Sequence, residues 1–130
     1  ICHPDRTVVC FAGDGDFLMT GQELATAVQY AAGFVVLVFN NGMYGTIRMH
    51  QEREYPARVY GTMLSNPDFA RFAQSFGGWG RTLASNEGLR EVLTEALQFA
   101  REERRPAVVE LRIDAQTITP NLTLDRLRSG

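Results

Sequence analysis

The chain has 130 residues, 45% of them hydrophobic and 22% charged, with a formal net charge of −2. This is the profile of one ordinary globular domain with enough length to bury a core, and it gives no reason to expect nucleic acid or an anionic membrane as partner. The longest apolar run, Phe34 to Phe39, is too short to span a bilayer, and no charged segment precedes a hydrophobic one at the start, so neither a signal peptide nor a membrane anchor is expected.

In chain order, Thr7-Val8-Val9-Cys10-Phe11-Ala12 is a continuous apolar run, as expected of a strand covered on both faces. Cys10 reads there as a small core hydrophobe. Together with Cys2 it makes no disulfide framework, which suits a reducing, cytoplasmic setting. Gly13 breaks the run. Thr20-Gly21-Gln22-Glu23 has the form of a capping box, predicting a helix behind it with Leu24, Ala27, Val28 and Ala31 on one face and Gly33 at its end. Phe34 to Phe39 is a second buried strand, closed by the turn Asn40-Asn41-Gly42. Strand, helix, strand at this spacing is a βαβ unit, so both strands point the same way.

Residues 45–65 are polar and predict an irregular loop, the kind that covers a site, with the Arg48 to Arg58 charge run read as a solvated or interface face. Asn66 is expected to cap a helix with Pro67 in its first turn and Phe69, Phe72, Ala73 and Phe76 buried. A short strand follows at Trp79 to Leu83, then a helix from about Glu87 to Glu103, then a last apolar strand from Ala107 to Ile113. The alternation argues for a three-layer α/β/α domain with a mostly parallel sheet, incomplete at its N-terminus, over residues 1–113. Residues 114–130 read as a C-terminal extension with a helical turn near Leu124, and the whole as a piece of a longer polypeptide.

Chemistry concentrates where the first two strands end. Gly13-Asp14-Gly15 closes one and Asn40-Asn41 the other, with 24 residues between the motifs, and in a parallel pair both emerge on one sheet edge. Gly-Asp-Gly alone is an ordinary strand-to-helix turn, although its glycines let backbone N–H groups approach an anion. Asn41 adds an amide oxygen, and the backbone after it adds carbonyls. Mg²⁺ takes about six oxygens, typically one or two carboxylates with phosphate oxygens and water. No basic residue lies between Arg6 and Arg48, so a phosphate bound here would need a metal ion for positive charge. All 13 basic residues are arginine, so no P-loop or Schiff-base lysine is available. An EF-hand loop starting at Asp14 would need glycine at Met19 and an acid at Ala25.

Gly13-Asp14-Gly15 followed by a helix and Asn40-Asn41 resembles the diphosphate-binding signature of thiamine diphosphate enzymes. The stretches Gly13 to Met19 and Asn40 to Gly45 resemble the acetolactate synthase-like group, and the similarity runs from His3 to about Leu127. The resemblance implies the thiamine diphosphate-binding fold, with thiamine diphosphate and Mg²⁺ as cofactors. Asp14 and Asn41 would bind the metal through side chains and Met43 through its carbonyl. Gly13 belongs to the same cofactor turn. Gly15, Asp16, Tyr44 and Gly45 would lie against the diphosphate, largely through backbone N–H groups, while Thr46, also a cofactor-binding residue, and His50 would face the substrate side of the thiazolium.

Acetohydroxyacid synthases carry methionine at the place of Thr46 and tryptophan at that of His50, so the motif speaks to the cofactor more than to the substrate. A histidine in a polar loop is otherwise an ordinary solvated residue. The implied whole is a homodimer or homotetramer acting on a 2-oxo acid, completed by the pyrimidine-binding domain of a neighbouring subunit, which carries the activating glutamate. No catalytic residue is assigned to this chain. A benzoylformate, oxalyl-CoA or 2-hydroxyacyl-CoA decarboxylase or lyase, a Mg²⁺-dependent phosphate-binding module without thiamine, and a non-catalytic subunit remain alternatives.

Overall fold

The computed structural model describes residues 2, 3 and 5–129, leaving Ile1, Pro4 and Gly130 outside the description. Four apolar segments form strands β1 (Val9–Gly13), β2 (Val35–Asn40), β3 (Trp79–Leu83) and β4 (Ala107–Arg112). They make one sheet in the order β1-β2-β4-β3, with every pairing parallel. Successive side chains of a strand face opposite ways, and β2 buries both sets. Val36 and Val38 pack with Val108 against Phe17, Leu24, Phe69 and Ala73 on one face. Val35 and Leu37 pack with Ala107 and Val109 against Ala96 and Ala100 on the other. The first group of helical residues belongs to α1 (Asp14–Thr20), α2 (Leu24–Gln29) and α4 (Phe69–Ser75), the second to α5 (Leu89–Glu102). The three-layer parallel arrangement expected from the alternation is therefore the one observed.

β1 departs from its expectation of full burial. It has β2 as its sheet partner and is an edge strand; Phe11 is 70% exposed and Cys10 is also exposed rather than buried in the core. The core on the α5 side is built from residues of β2, β3, β4 and α5, with Phe39 at its margin, so Phe11 lies outside it and stacks on the Phe39 ring, centroids 6.0 Å apart. A continuous apolar run records hydrophobicity and carries no information on which strand ends up outermost.

The helix after β1 also begins earlier than its capping signal. α1 starts at Asp14, and the Thr20–Glu23 capping box does not form. Asp16 fills the capping role nearer the strand, its Oδ2 accepting from the Gly13 N–H at 3.2 Å, whereas Glu23 accepts from the Thr26 hydroxyl at 2.7 Å. A single 3₁₀ turn, Gly21–Glu23, joins α1 to α2. At the next cap, Asp68 rather than Asn66 accepts from the Arg71 N–H, at 2.9 Å. The residue before a proline is pushed away from helical backbone, and the helix accordingly starts beyond Pro67.

The stretch expected to be irregular holds a helix, α3 (Gly45–Glu54), followed by a loop. Its buried residues are Arg48 and Glu52. The remainder of the chain folds onto it. A small antiparallel hairpin, β5 (Thr117–Thr119) with β6 (Leu122–Thr123), leads into α6 (Leu124–Ser129), from which Arg128 reaches Glu52. No described helix is long and apolar enough to cross a membrane.

Candidate functional site

β1 and β2 run in register, Gly13 beside Phe39, so the residues that follow each strand meet at one end of the sheet. Asp14 is 2% exposed there and accepts three hydrogen bonds. Its Oδ1 takes the Gly15 N–H at 3.0 Å; its Oδ2 takes the Gly42 N–H at 2.8 Å and the Asn66 amide at 2.6 Å. Asn41 Oδ1 accepts from the Met43 N–H at 3.1 Å, which draws the turn tight around Gly42, whose φ of 71° is one that glycine adopts without strain. Asp14, Asn41 and Met43, the three expected metal-side residues, are thus brought together by strand ends and a single turn.

The partner strip on the far side of the turn is the segment from Thr62 to Asn66. Tyr44 N–H donates to the Thr62 carbonyl at 2.9 Å and Leu64 N–H to the Gly42 carbonyl at 2.8 Å, with Met43 opposite Met63 between them. Two consequences follow. The Met43 carbonyl lies outside this ladder, and the Tyr44 N–H, expected to face a diphosphate, is already engaged. The amides available to an anion are those in the first turn of α3, starting at Gly45 and Thr46, because no side chain caps that helix.

Tyr44 contributes by shape instead. A Cβ built on Gly15 would lie 2.4 Å from Tyr44 Cε1, so this ring fits only over a residue without a side chain. Gly45 is similarly close-set, its would-be Cβ 2.9 Å from Asn41 Nδ2. Asp16 turns its carboxylate back to the Gly13 N–H. Thr46 and His50 sit one turn apart on α3, both exposed.

Asn66 is the residue that motif reading assigned elsewhere. Its Nδ2 bridges Asp14 Oδ2 and Asn40 Oδ1, the latter at 2.8 Å. The Asn66 Oδ1 atom is buried without a hydrogen-bond partner among the described residues. Asn40 in turn donates to Glu110 on β4 at 2.6 Å, and Thr82 on β3 donates to the other Glu110 oxygen at 2.7 Å. Asn-Pro at the head of a helix gave the only sequence signal for Asn66, and that signal favours a cap.

The family described as thiamine pyrophosphate enzyme, C-terminal TPP binding domain, matches residues 1–111. The chain belongs to this family. Among curated relatives of this TPP-binding domain, the acetolactate synthase large subunit of Haemophilus influenzae is 35% identical over 115 residues, 88% of this chain. Isozyme 3 of the Escherichia coli large subunit is 38% identical over 102 residues. This chain spans about a fifth of the length of these relatives, 20% and 18% respectively. Among solved structures, benzoylformate decarboxylase from Polynucleobacter necessarius superposes with a TM-score of 0.77 at 26% identity, covering 88% of this chain and 21% of that one. The 4-hydroxybenzoylformate decarboxylase of Rhodococcus jostii gives 0.76 at 28% identity, covering 85% and 20%.

Whether the TPP-binding domain's residues suit a phosphate-bound cation turns on lone pairs. A carboxylate offers about four, two on each oxygen. Asp14 Oδ2 has both occupied by donors, while Oδ1 has one committed and one to spare. Asn41 Oδ1 accepts one bond and keeps capacity for another. With the Met43 carbonyl, that makes three hard oxygen donors. Among the described residues no three His, Cys, Asp or Glu side chains converge, so an amide and a carbonyl would complete the set. This donor chemistry fits Mg²⁺.

Proposed function

We propose that this chain is the cofactor-anchoring domain of a longer thiamine diphosphate-dependent enzyme that decarboxylates or ligates 2-oxo acids in the manner of acetolactate synthase. The observation that carries this reading is the oxygen set of Asp14, Asn41 and Met43, each with a free lone pair, at the end of two parallel strands. Asp14 Oδ1, Asn41 Oδ1 and the Met43 carbonyl would hold Mg²⁺, and the first-turn amides of α3 would face the diphosphate. Gly13 and Gly15 keep the turn slim, and Tyr44 walls it. When bound, the cofactor supplies a carbanion that adds to a carbonyl and serves as an electron sink after loss of CO₂. The work of this chain is to hold and orient it, with Thr46 and His50 on the substrate side.

Residues 1–113 would form the binding unit and 114–130 an extension tied back to α3. A homodimer or homotetramer, with the pyrimidine-binding domain of a neighbouring subunit closing the site, supplies what this chain lacks. The two free cysteines suit a cytoplasmic enzyme.

A second reading, a benzoylformate-type decarboxylase, is favoured by the two solved structures of that activity. Threonine at 46 and histidine at 50, in place of the synthases' methionine and tryptophan, depart from the synthase pattern without naming another substrate. Substrate profiling of the full-length protein with pyruvate and benzoylformate separates the two. The cofactor reading is tested by calorimetric titration of thiamine diphosphate into that protein with and without Mg²⁺. Binding that requires Mg²⁺ and is lost in Asp14→Ala is expected; Mg²⁺-independent binding, or none, removes the reading.

A further inference from the structure

We infer that Glu110 is a positioning residue for the cation site: acting through Asn40 and Asn66, it decides which oxygen of Asp14 stays open. The inference rests on the cofactor reading above and concerns two side chains outside the paired motif, Glu110 and Asn66, linked through Asn40. Glu110 lies in the middle of the sheet, beside Val38 on β2 and Thr82 on β3, and its side chain is 1% exposed. A carboxyl group in that position is costly unless each oxygen has a donor. Both do, Asn40 on Oε1 and Thr82 on Oε2, with Arg112 Nε 3.5 Å from Oε1.

The consequence is directional. A carboxylate only accepts, so Asn40 must offer it the NH₂ end of its amide. The carbonyl end of Asn40 is then turned toward the turn and accepts from Gly42 N–H at 3.0 Å and Asn66 Nδ2 at 2.8 Å. Asn66 is thereby fixed with its NH₂ between two acceptors, Asn40 Oδ1 and Asp14 Oδ2. Together with Gly42 N–H it fills Asp14 Oδ2 and leaves the free lone pair on Oδ1. One acceptor on β4 therefore sets the orientation of two amides and one carboxylate across the ends of β2 and β1. Donor–acceptor chains of this kind order ligands from behind, and breaking one lowers metal affinity by about 10- to 100-fold.

Glu110→Gln is the informative change, because it keeps the shape and offers Asn40 a donor as well as an acceptor. In the full-length protein, calorimetry of Mg²⁺ with thiamine diphosphate present is expected to show affinity weakened by about 10- to 100-fold. The melting temperature of the cofactor-free protein provides the contrast. A merely structural residue would lower that temperature and leave the Mg²⁺ affinity of the folded protein unchanged, which overturns the inference. Should Glu110→Gln fail to fold, Asn66→Ala removes the shared donor from a loop; weakened Mg²⁺ binding supports the inference and unchanged binding overturns it. Wild-type protein that binds no cofactor, or Asp14→Ala that binds it normally, sinks the cofactor reading instead, so the two failures are distinguishable.

Discussion

Arg128 and Glu52, 76 residues apart in the chain, meet in a two-pronged contact: Arg128 Nε donates to Glu52 Oε2 at 3.1 Å and NH2 to Oε1 at 3.0 Å. Glu52 also accepts from Arg48 on its own helix and from the Ala57 N–H at 2.8 Å. These donors, the Arg128 hydrogen bonds first and the Ala57 amide second, hold the Glu52 carboxyl at about 2, against a burial effect in the opposite direction. The contact ties α6 to α3, the helix that starts at Gly45 just beyond the Asn41–Met43 turn.

A pH dependence follows from that lowered value. The folded-state pKa lies below the ordinary 4.5, so the unfolded chain takes up the proton first as pH falls. The Glu52 contribution is complete above pH 4.5 and is lost as pH drops from there toward about 2. Hydrogen exchange of the amides in α6, followed as pH falls from neutral through that window, is expected to show the segment losing protection below pH 4.5. In Glu52→Gln the same amides should show no such step once intrinsic exchange is subtracted.

Gly15 offers a test of shape. Its backbone is helical, so alanine would gain about 0.5–1 kcal/mol from backbone entropy alone. Against that stands a methyl group 2.4 Å from the Tyr44 ring, an overpacking expected to cost about 1–3 kcal/mol. Gly15→Ala should therefore destabilise the fold in urea unfolding, and should become neutral or stabilising in a Tyr44→Ala background. Equal effects in both backgrounds would show that the ring is not what requires glycine.

The four strands of the parallel sheet and the meeting of the two motif turns at its end were legible in the sequence because each rests on one local signal, whereas the β5–β6 hairpin, too short for a periodic pattern, was not. β2 and β4 are unbroken apolar runs, and Asp14 and Asn41 stand where such runs stop. α3 was illegible because it buries Arg48 and Glu52 in place of an apolar stripe, and the charges that match them lie partly 76 positions away. Asn66 and Glu110 were missed for a related reason. Asn66 sits in an alternative cap sequence, and Glu110 interrupts an apolar strand where only the third dimension supplies Asn40 and Thr82. Thr20–Glu23 misled in the opposite sense, a sound capping pattern superseded by Gly13 and Asp16 upstream.

The α1 and α4 side of the core has a clear centre. Phe69 is 0% exposed, and Phe17 meets it edge-on with ring centroids 5.6 Å apart. Phe69→Ala is expected to cost about 3–5 kcal/mol, since the sheet behind it and the flanking helices leave little room to collapse into the cavity. Thermal unfolding measures it. Because α1 starts at Asp14, the same variant should also weaken Mg²⁺-dependent cofactor binding in the full-length protein.

The uncovered flank of β1 has a consequence for the 130-residue chain taken by itself. Val9, Cys10 and Phe11 are exposed on a strand whose sheet partner lies on one side, the arrangement that invites edge-to-edge pairing. A hollow of about 370 Å³ beside it, lined by Cys10, Ala12, Phe17, Leu24 and Phe34, adds further apolar surface. Sedimentation velocity over a range of concentrations should show the isolated chain associating. Phe11→Lys places a charge on that flank at a residue already 70% exposed, so stability should move by no more than about 0.5 kcal/mol while association falls. If the Phe11→Lys chain associates as strongly as the parent, the contact lies elsewhere on the surface.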